Sequence, residues 1–462
     1  MPELPEVETV KNIISPLIKD KTISKVDIFY DRLIQSNIDE FKFKLINQTI
    51  KNVTRYGKFL FIHLTSSLVI ITHLRMEGKF RYVTNLSDAR IKHTSLIFYF
   101  KDGSCLAFDD TRKFGLMYLT TEEECKDVPM IKKLGIEANK VQESDLEMLY
   151  KKFNRKKPIK ELLLDQTILC GIGNIYADEI CYLCKINPFT PGNLLNKNNI
   201  DDIVKNAKVV LEKAIKAGGS TIHSFHPSEG VDGKFQEELL CYGRVNHFCP
   251  NCGTLFHKEF IGGRGTTFCP NCQINPLLEK AIGITGPIGS GKSTLLNHFK
   301  EEGYITYSCD ELIHELYKQD IHKRNISKIL GVTFDIENKE ITKKARQIMI
   351  FEPEKKVAVE NYIYPVLEKE LIKIVKENDC PIIEAPTLFK AHIEYLFKKI
   401  LIVEISKEQQ EANLINRHDD ISSSKKLNHD YTYPKNLSKI RIVKATGNFE
   451  AFFKNADEAI KD

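Results

Sequence analysis

The spacing of apolar and polar positions divides the chain into regions of different secondary structure. Residues 40–120 hold short segments in which β-branched and aromatic residues mix with turn words such as KDGS, a pattern that predicts strands. These segments are TRYGKFLFIHL, SLVIITHLRM, HTSLIFYF and SCLAFDD. Before them, VETVKNIISPLIKD has the spacing of a helix.

The spacing becomes helical from about residue 131. Four segments carry it: SDLEMLYKKF, KELLLDQTIL, NIYADEICYLC and IDDIVKNAKVVLEKAIKAGG, the last of which ends at a Gly-Gly stop. After Pro276 the pattern changes to strand, loop and helix, in the words AIGIT, GPIGSGK and STLLNHFKEEG. The chain therefore predicts an all-strand region, a helical region and an α/β region in that order.

Length and composition fit a globular protein of about three domains. The chain has 462 residues, of which 42% are hydrophobic and 28% charged. No apolar run is long enough to span a bilayer, and the first residues lack the basic-then-apolar pattern of a signal peptide. We therefore expect a cytoplasmic protein with no membrane partner.

Charge is distributed unevenly. The net charge is +5, and the whole excess lies in residues 1–280, because the remaining residues carry 28 basic and 28 acidic side chains. The word KKFNRKKPIK (residues 151–160) concentrates six of the positive charges. Such a run is typical of a solvated helix entry or loop, and it also suits contact with a phosphate backbone.

Four of the 12 cysteines form a repeated C-P-N-C pattern. Two tight turns, each with a pair of thiolates, flank a segment that reads as two strands around a glycine-rich tip. Four soft ligands at this spacing predict one structural Zn²⁺ held by Cys249, Cys252, Cys269 and Cys272. A third pair, Cys181 and Cys184, lies on one face of a predicted helix with no partner pair nearby, so burial is the better interpretation.

The word GPIGSGKS matches the phosphate-binding loop G-x4-G-K-[ST] between a predicted strand and a predicted helix. The glycines let backbone N–H groups point at phosphate, the lysine reaches the outer phosphates, and the hydroxyl that follows can bind Mg²⁺. The motif predicts a nucleoside triphosphate with Mg²⁺ as ligands, but it does not identify the reaction. The residues assigned to this nucleotide, which the kinase resemblance given below implies is ATP, are Gly286, Gly289, Gly291, Lys292, Ser293 and Thr294.

The chain begins MPELPEVE. Once Met1 is removed, Pro2 has a free secondary amine, and its attack on a sugar C1′ would give a cationic iminium that acts as an electron sink. Glu3 can transfer protons at the sugar. Taken alone, the two prolines could simply stiffen the start of a helix.

The first eight residues resemble the amino terminus of the formamidopyrimidine-DNA glycosylase family, and the resemblance continues in order through RYGKF, HLRMEGKF, KHTS, DDTRKFG, LLLDQTILCGIGNIYADE and GGRGTTFCPNC. It implies a β-sandwich, a helix–two-turn–helix module and a zinc hairpin, with damaged double-stranded DNA as the partner. It also implies Pro2 as nucleophile, Glu3 as proton donor, Lys58 assisting the first elimination and Arg264 the second. The implied DNA-contacting residues are Met76, His93, Arg112, Phe114, Lys156 and Asn174, of which Met76, Arg112 and Phe114 would fill the gap left by the rotated nucleotide.

Residues 281–462 resemble a dephospho-CoA kinase. AIGITGPIGSGKST is similar to that family's opening, EAPTLF to its D-x-P-L-L-F word, and QQEANLINR keeps Gln410 and Arg417 of its Q-x-x-R-L-x-x-R word. The resemblance implies Asp310 as the base for the ribose hydroxyl and Arg417 at ATP. Ser308 and Asn413 depart from the family pattern, at a first acid and an arginine respectively.

The sequence therefore predicts a bifunctional enzyme made of five segments: a sandwich domain (1–130), a helix–two-turn–helix domain (131–248), a zinc hairpin (249–272), a linker (273–280) and a P-loop kinase domain (281–462). We expect a glycosylase and abasic-site lyase acting on oxidised purines, joined to an ATP-dependent dephospho-CoA kinase, in a monomer. Two alternatives stay open. The second half could be a catalytically idle P-loop domain that only regulates or stabilises a damaged-DNA-binding protein, or it could be a nucleoside or nucleotide kinase.

Overall fold

The computed structural model describes residues 1–220, 234–416, 433, 439–445 and 448–461. The chain divides into two compact units, Met1–Gln273 and Ile274–Asp462. Within the described ranges, no helix is long and apolar enough to cross a membrane.

The first unit opens with two antiparallel four-stranded sheets. Their strand orders are β1-β6-β7-β5 and β2-β3-β4-β8. The strands are β1 Ile23–Ile28, β2 Ile50–Tyr56, β3 Phe59–Leu64, β4 Leu68–His73, β5 Lys79–Val83, β6 Thr94–Phe100, β7 Cys105–Asp109 and β8 Leu116–Thr121. One apolar cluster takes side chains from both sheets and from the buried face of helix α1 (Leu4–Ile18). The cluster therefore makes these elements the β-sandwich that the resemblance implied.

One segment of the predicted strand region is helical. Helix α2 (Ile38–Leu45) contains FKFKL, whose apolar residues alternate as they do in a strand. Asn37 caps this helix by accepting a hydrogen bond from the Glu40 N–H at 2.9 Å. Phe41 and Leu45, four residues apart, are buried, whereas Phe43 between them is 83% exposed. Phe41, Phe43 and Leu45 alternate with lysines as in a strand, but Phe41 and Leu45 are an i, i+4 pair on the buried face of a helix.

A helical module follows the sandwich and has its own apolar core. Its elements are α3 Pro129–Lys132, β9 Ile136–Glu137, α4 Leu146–Phe153, α5 Ile159–Leu164, β10 Leu169–Cys170, α6 Asn174–Leu183 and α7 Lys197–Lys216. The KELLLDQTIL segment is helical only to Leu164. The Asp165 carboxylate then accepts a hydrogen bond from the Thr167 N–H, and the chain continues as β10, which pairs in parallel with β9. The unit ends in an antiparallel hairpin, β11 His257–Ile261 and β12 Arg264–Phe268.

The second unit is built on a five-stranded parallel sheet with strand order β14-β15-β13-β16-β17. Its elements are β13 Ala281–Thr285, α8 Lys292–Glu301, β14 Thr306–Ser308, α9 Cys309–Lys318, α10 Asp320–Leu330, α11 Lys339–Phe351, α12 Pro353–Glu377, β15 Ile382–Glu384, β16 Phe397–Glu404, α13 Lys407–Asn416, β17 Ile440–Lys444 and α14 Phe449–Lys461. Apolar clusters built on these strands join the sheet to its helices. In such a sheet, ligands bind at the carboxyl ends of the strands, where the loop after β13 lies.

The segment just before β13 packs within this second unit. Leu278 contacts its apolar core, and Glu279 accepts a hydrogen bond from Lys439 at 3.2 Å. These contacts belong to the part of the chain that we predicted to be a linker.

Candidate active sites

Glu3 lies in a pocket closed by the start of helix α6. Its carboxylate accepts hydrogen bonds from the backbone N–H groups of Gly173 at 2.6 Å, Ile175 at 2.8 Å and Tyr176 at 3.4 Å. The Glu3 side chain also contributes to the capping of α1, together with Glu6, whose carboxylate accepts from the Glu3 N–H at 2.9 Å. The helix N-terminus thus offers its free N–H groups to this carboxylate.

This arrangement demands a glycine at position 173. A Cβ atom there would lie 2.3 Å from Glu3 Cδ and 2.5 Å from Glu3 Oε1. Gly171, two residues earlier, has a φ of 102°, and a Cβ atom there would lie 2.5 Å from a methyl carbon of Leu4. The GIG word therefore brings the α6 backbone into contact with the first residues of the chain.

The pocket changes the ionisation of its titratable groups. Burial raises the pKa of Glu3 to about 7, although the positive charge of Lys58 opposes the rise. Burial lowers the pKa of Lys58, which is 4% exposed and donates a hydrogen bond to the Ile172 carbonyl at 2.8 Å. Burial also lowers the pKa of the Met1 amine. The site therefore holds a carboxyl that is partly protonated near neutral pH beside amines that lose their protons more readily than usual.

Arg264 is exposed at the start of β12. Its charge acts on both the Lys58 amine and the Met1 amine and lowers the pKa of each. Pro2 is buried next to Glu3. The structure thus brings Pro2, Glu3, Lys58 and Arg264 into one electrostatic environment, although they are up to 262 positions apart in the sequence.

The residues predicted to contact DNA differ in their exposure. Arg112 and Phe114 are exposed on the loop between β7 and β8, and the guanidinium lies 5.0 Å from the centre of the Phe114 ring. Buried Asp110 holds this loop by accepting from the Arg112 N–H at 3.1 Å and the Gly115 N–H at 2.7 Å. Asp110 therefore fixes the backbone of this loop, and the loop exposes an aromatic ring and a cation to solvent.

The remaining predicted contacts lie on several elements. Met76 and His93 are half-buried, Met76 on the turn after β4 and His93 just before β6. Lys156 is exposed between α4 and α5. Asn174 begins α6, and its side chain donates to the Gly265 carbonyl at 3.0 Å. Only Asn174 among these has a hydrogen bond to the hairpin that carries Arg264.

Sequence reasoning missed two residues of this site, Glu6 and Tyr242. Glu6 is buried and accepts hydrogen bonds from the Tyr176 hydroxyl at 2.7 Å and the Ser220 N–H at 2.8 Å. The Tyr242 side chain hydrogen-bonds to Asn174, and the Glu3 charge acts on its hydroxyl. Glu6 is part of the PELPEVE word, but nothing in the sequence indicated which residues it would contact.

The four predicted zinc ligands form one cluster. The sulfur atoms of Cys249, Cys252, Cys269 and Cys272 all lie within 4.8 Å of one another. The Tyr182 hydroxyl of α6 is 3.2 Å from Cys249 Sγ, and its ring packs against Phe256. Four soft thiolates at these distances fit a tetrahedral Zn²⁺, which would hold a hairpin that has little apolar core of its own.

The phosphate loop of the second unit has the backbone that its glycines predict. Gly286, Gly289 and Gly291 have φ values of 149°, 77° and 96°. A Cβ atom at Gly286 would lie 2.6 Å from the Val403 carbonyl oxygen. Lys292 begins α8 and is 7% exposed, and Thr294 follows in the first turn. The loop therefore places a lysine and the N-terminus of α8 side by side, an arrangement that favours the binding of an anion such as phosphate.

An acid that we had not assigned completes this site. Glu384, at the end of β15, is buried and accepts a hydrogen bond from the Ser293 hydroxyl at 3.0 Å. A carboxylate beside the loop hydroxyl can hold the water shell of Mg²⁺. The EAPTLF word contains Glu384, but the sequence did not show that β15 would bring it to Ser293.

Asp310 lies in the first turn of α9 and lines a cavity of about 310 Å³. Partial burial raises the pKa of Asp310, and the Lys292 charge opposes the rise. Tyr364, Thr387, Arg346 and Lys356 also line this cavity. The cavity thus combines an acid influenced by the phosphate-loop lysine, two hydroxyl side chains and two cations.

Helix α13 lies against the phosphate loop. The Gln410 side chain donates to the Ile288 carbonyl at 2.6 Å, and the Asn413 side chain donates to the Gly289 carbonyl at 2.9 Å. Asn413, which stands where the kinase pattern has an arginine, therefore contacts the loop backbone. Arg417 lies outside the described residues.

Comparison with known families agrees with both resemblances. Family models match the formamidopyrimidine-DNA glycosylase N-terminal domain at residues 1–117 and its H2TH domain at residues 134–226. A zinc finger found in FPG and IleRS matches residues 246–274, and dephospho-CoA kinase matches residues 280–429. The four cysteines are therefore those of a zinc finger, and the kinase domain implies ATP and Mg²⁺.

Curated relatives of the first unit are formamidopyrimidine-DNA glycosylases. The chain is 42% identical to that of Lactobacillus johnsonii over 275 residues, which cover 59% of this chain and 99% of the relative. It is 41% identical to that of Mycoplasma mobile over 268 residues, covering 58% and 96%.

Solved structures give the same result. The complex of a Lactococcus lactis FPG mutant with Fapy-dG containing DNA has a TM-score of 0.55 and 37% identity, and the match covers 59% of this chain and 99% of that one. The complex of Lactococcus lactis Fpg with DNA containing an abasic site has a TM-score of 0.54 at the same identity and coverage. The chain thus belongs to the formamidopyrimidine-DNA glycosylase family, and a domain that matches dephospho-CoA kinases follows the glycosylase part.

Proposed function

We propose that the chain is a bifunctional enzyme. Its first unit would remove oxidised purines such as 8-oxoguanine and formamidopyrimidines from double-stranded DNA and then cleave the resulting abasic site. Its second unit would phosphorylate dephospho-CoA with ATP. Family membership supports DNA glycosylase function for the first unit, whereas the kinase activity depends on the match to residues 280–429.

The observation that carries the glycosylase proposal is the buried Glu3 carboxyl beside Lys58. A carboxyl with a pKa near 7 can be protonated before reaction and can give that proton to the sugar ring oxygen. The Pro2 amine attacks C1′, the bond between C1′ and the damaged base breaks, and the base leaves with the electron pair. Loss of a C2′ proton then breaks the C3′–O bond, assisted by Lys58, and Arg264 stabilises phosphate in the second elimination.

The loop that carries Arg112 and Phe114 supports nucleotide extrusion. An enzyme acting on a base must take it out of the stack, and the vacated space must be filled. An exposed ring with a cation over it has the mixed apolar and cationic character that such filling requires. Met76, which is half-buried, is proposed to contribute to the filling as well. His93, Lys156 and Asn174 are proposed to contact the DNA backbone.

Borohydride trapping tests this mechanism. DNA with 8-oxoguanine or an abasic site should form a covalent complex with the chain that carries a free Pro2 amine. A chain with an uncleaved N-terminal extension is the control, since its Pro2 nitrogen is an amide and cannot form an iminium. Equal trapping and nicking by both chains would contradict the assignment of Pro2.

For the second unit we propose in-line transfer of the outer phosphate of ATP to a ribose hydroxyl. Gly286, Gly289 and Gly291 would cradle the phosphates, and Lys292 would offset their charge; Thr294 and Arg417 are proposed to contact ATP as well. Ser293 and Glu384 would hold Mg²⁺, which neutralises phosphate charge. Asp310 would accept the hydroxyl proton while the acceptor occupies the cavity of about 310 Å³.

Formation of CoA from dephospho-CoA and ATP by the purified chain tests this half. The product is expected with the parent and not with Lys292→Ala. Binding of ATP without CoA formation would favour the idle-domain alternative. Phosphorylation of nucleosides or nucleotides in preference to dephospho-CoA would show that the acceptor is wrong while the phosphate-loop assignment stands.

The domain limits are also proposed. We place the sandwich domain at 1–130, the helix–two-turn–helix domain at 131–248, the zinc hairpin at 249–272 and the kinase domain at 281–462. Expression of residues 1–273 and 274–462 as separate chains would test whether each folds and is active alone.

A further inference from the structure

Helices α5 and α6 share a fully buried ion pair. Lys160 Nζ lies 2.7 Å from Asp178 Oδ1, and both side chains are 0% exposed. Lysine and aspartate are almost never buried to this extent, because the loss of water costs several kcal/mol per ion. Burial accordingly raises the pKa of Asp178 to about 6 despite the Lys160 charge. Two apolar side chains would fill the same space at lower cost, so the pair needs another explanation.

Both members of the pair also bind the hairpin strand β12. Lys160 Nζ donates to the Gly265 carbonyl at 3.1 Å and to the Thr266 hydroxyl at 2.9 Å. Asp178 Oδ2 accepts from the Thr267 N–H at 3.0 Å. Lys160 and Asp178 therefore bind three consecutive residues of β12, Gly265, Thr266 and Thr267.

These three residues follow Arg264 directly. The Thr266 hydroxyl, which accepts from Lys160, donates to the Arg264 carbonyl at 3.1 Å. A continuous path of polar contacts thus runs from Asp178 through Lys160 and Thr266 to the Arg264 backbone.

Within the hairpin, Arg264 pairs with buried Ile261 of β11. The apolar cluster around Tyr182, Phe256 and the zinc cysteines lies at the far end of β12, where Cys269 follows the strand. At the turn, Gly263 has a φ of 74° and no atom within 4 Å of where its Cβ would be. The metal cluster therefore fixes one end of β12 and leaves the Arg264 end to other contacts.

We propose that the Lys160–Asp178 pair positions Arg264 for the second elimination, by holding residues 265–267 against the helical module. This inference rests on the proposed role of Arg264. In that step C4′ loses a proton, the C5′–O bond breaks, and the electron pair leaves on the phosphate, whose charge Arg264 offsets. Lys160 and Asp178 touch no reacting atom and are positioning residues.

The main test replaces the pair by apolar residues of similar size. In Lys160→Met/Asp178→Leu no unpaired charge remains buried. The buried Thr267 N–H loses its acceptor, so we expect the variant to fold with a lower stability than the parent. On DNA with a preformed abasic site, we expect borohydride trapping and the first elimination at the parent rate. The second elimination should slow at least tenfold, so that the first-elimination product accumulates. Lys197→Met, which removes an exposed ion pair with Glu147, is the control and should leave both rates unchanged.

A second variant avoids any change in the buried charges. Thr266→Val keeps the shape of the side chain and the ion pair, but it removes the hydroxyl that links Lys160 to Arg264. We expect the second elimination to slow about threefold while trapping is unchanged.

The outcomes separate this inference from the proposal on which it rests. An unchanged ratio of the two elimination products in Thr266→Val, and in the double variant if it folds, would overturn the positioning role alone. A parent that produces no second-elimination product, or an Arg264→Ala variant that retains it in full, would overturn the role of Arg264 and the positioning role with it. An equal slowing of trapping and of both eliminations would show that the pair acts only through stability.

Discussion

The two acids that we propose as catalytic residues, Glu3 in the first unit and Asp310 in the second, lie in opposite kinds of surroundings. Glu3 is buried and bound by three backbone N–H groups from residues about 170 positions away in the sequence. Asp310 lies in the first turn of its own helix, close in sequence to the phosphate loop, and lines an open cavity. Packing of distant residues buries Glu3 and raises its pKa to about 7, whereas Asp310 is partly buried and the Lys292 charge opposes the rise in its pKa.

This difference suits the chemistry that we propose for each site. A proton donor to a sugar must keep its proton near neutral pH, and desolvation is the direct way to achieve this. A base for a hydroxyl needs its charge, so it benefits from exposure and from the nearby Lys292. We therefore expect the first site to be sensitive to packing and to pH, and the second to loss of single functional groups.

The largest effect is expected from Asp310→Asn. The amide cannot accept the ribose proton, and removal of a general base typically costs 10²–10⁴-fold in rate. ATP binding should be nearly unchanged, because Asp310 acts on the acceptor. The measurements are CoA formation and ATP affinity of the same preparation.

Glu311→Gln is the matched control, since Glu311 is the next residue in the same first turn of α9. It should leave CoA formation unchanged. Full turnover by Asp310→Asn would keep the phosphate-loop assignment and reject Asp310 as the base.

Gly173→Ala tests the packing of the first site. The added methyl group would overlap the Glu3 carboxyl, with 2.3 Å to Cδ, so either Glu3 or the start of α6 must move. A misplacement of about 1 Å can cost about 10²-fold in rate, and we expect a loss of that order in excision of 8-oxoguanine. CoA formation should not change.

Gly103→Asn is the control in the same unit. Gly103 has a φ of 88° and open space around it, and asparagine tolerates this conformation better than other residues do. If Gly173→Ala excised bases as fast as the parent, the tight contact with Glu3 would not matter for catalysis.

The sequence allowed each site to be predicted only in part, and the reason differs between them. The phosphate loop is a local motif, so its glycine conformations and the start of α8 followed from eight residues. Glu384 was not assigned, because its contact with Ser293 depends on the order of strands in the sheet. In the first unit, the identity of Glu3 followed from resemblance, but its burial depends on α6.

Prediction of the secondary structure from the sequence was limited in the same way. Several strands of the sandwich and the longer helices of the helical module were predicted from periodicity, whereas α10, α11 and α12 of the second unit were not predicted. Elements α2 and β10 were missed because a few residues of alternating or mixed pattern do not separate helix from strand. The Lys160–Asp178 pair could not be predicted for a related reason. Lys160 belongs to a basic run that suggested contact with solvent or DNA, and it is buried only because three elements pack around it.

Cys269→Ser asks whether the two units depend on each other. Metal binding supplies folding energy to small hairpins, on the order of 10 kcal/mol. Loss of one thiolate should release β12 from its fixed end and weaken DNA binding by about 10- to 100-fold, as measured by titration of an abasic-site duplex. ATP binding should stay at the parent value.

Cys125→Ser serves as the control, because Cys125 lies outside the metal cluster. Equal loss of DNA and ATP binding in Cys269→Ser would mean that the units do not fold independently. Parent DNA affinity after complete removal of metal would contradict a structural role for zinc in binding.

The change expected per pH unit is smaller than the effects of Asp310→Asn, Gly173→Ala and Cys269→Ser, and the pH dependence of excision compares the two acids directly. Glu3 must be protonated to act as donor, and its pKa is about 7, so the active fraction falls as pH rises through that value. We expect the rate of 8-oxoguanine excision at saturating enzyme to fall about fivefold from pH 7 to 8 and about tenfold from pH 8 to 9. Asp310 must instead be ionised. Its pKa is raised from 3.8, but the Lys292 charge opposes this rise, so the rate of CoA formation should be constant over the same pH range.

Glu3→Gln, which cannot titrate, should show a low excision rate without this decline. A flat profile for the parent would mean that the Glu3 proton is not used in the rate-limiting step, and the contrast between a buried donor and an exposed base would then describe the structure but not the chemistry.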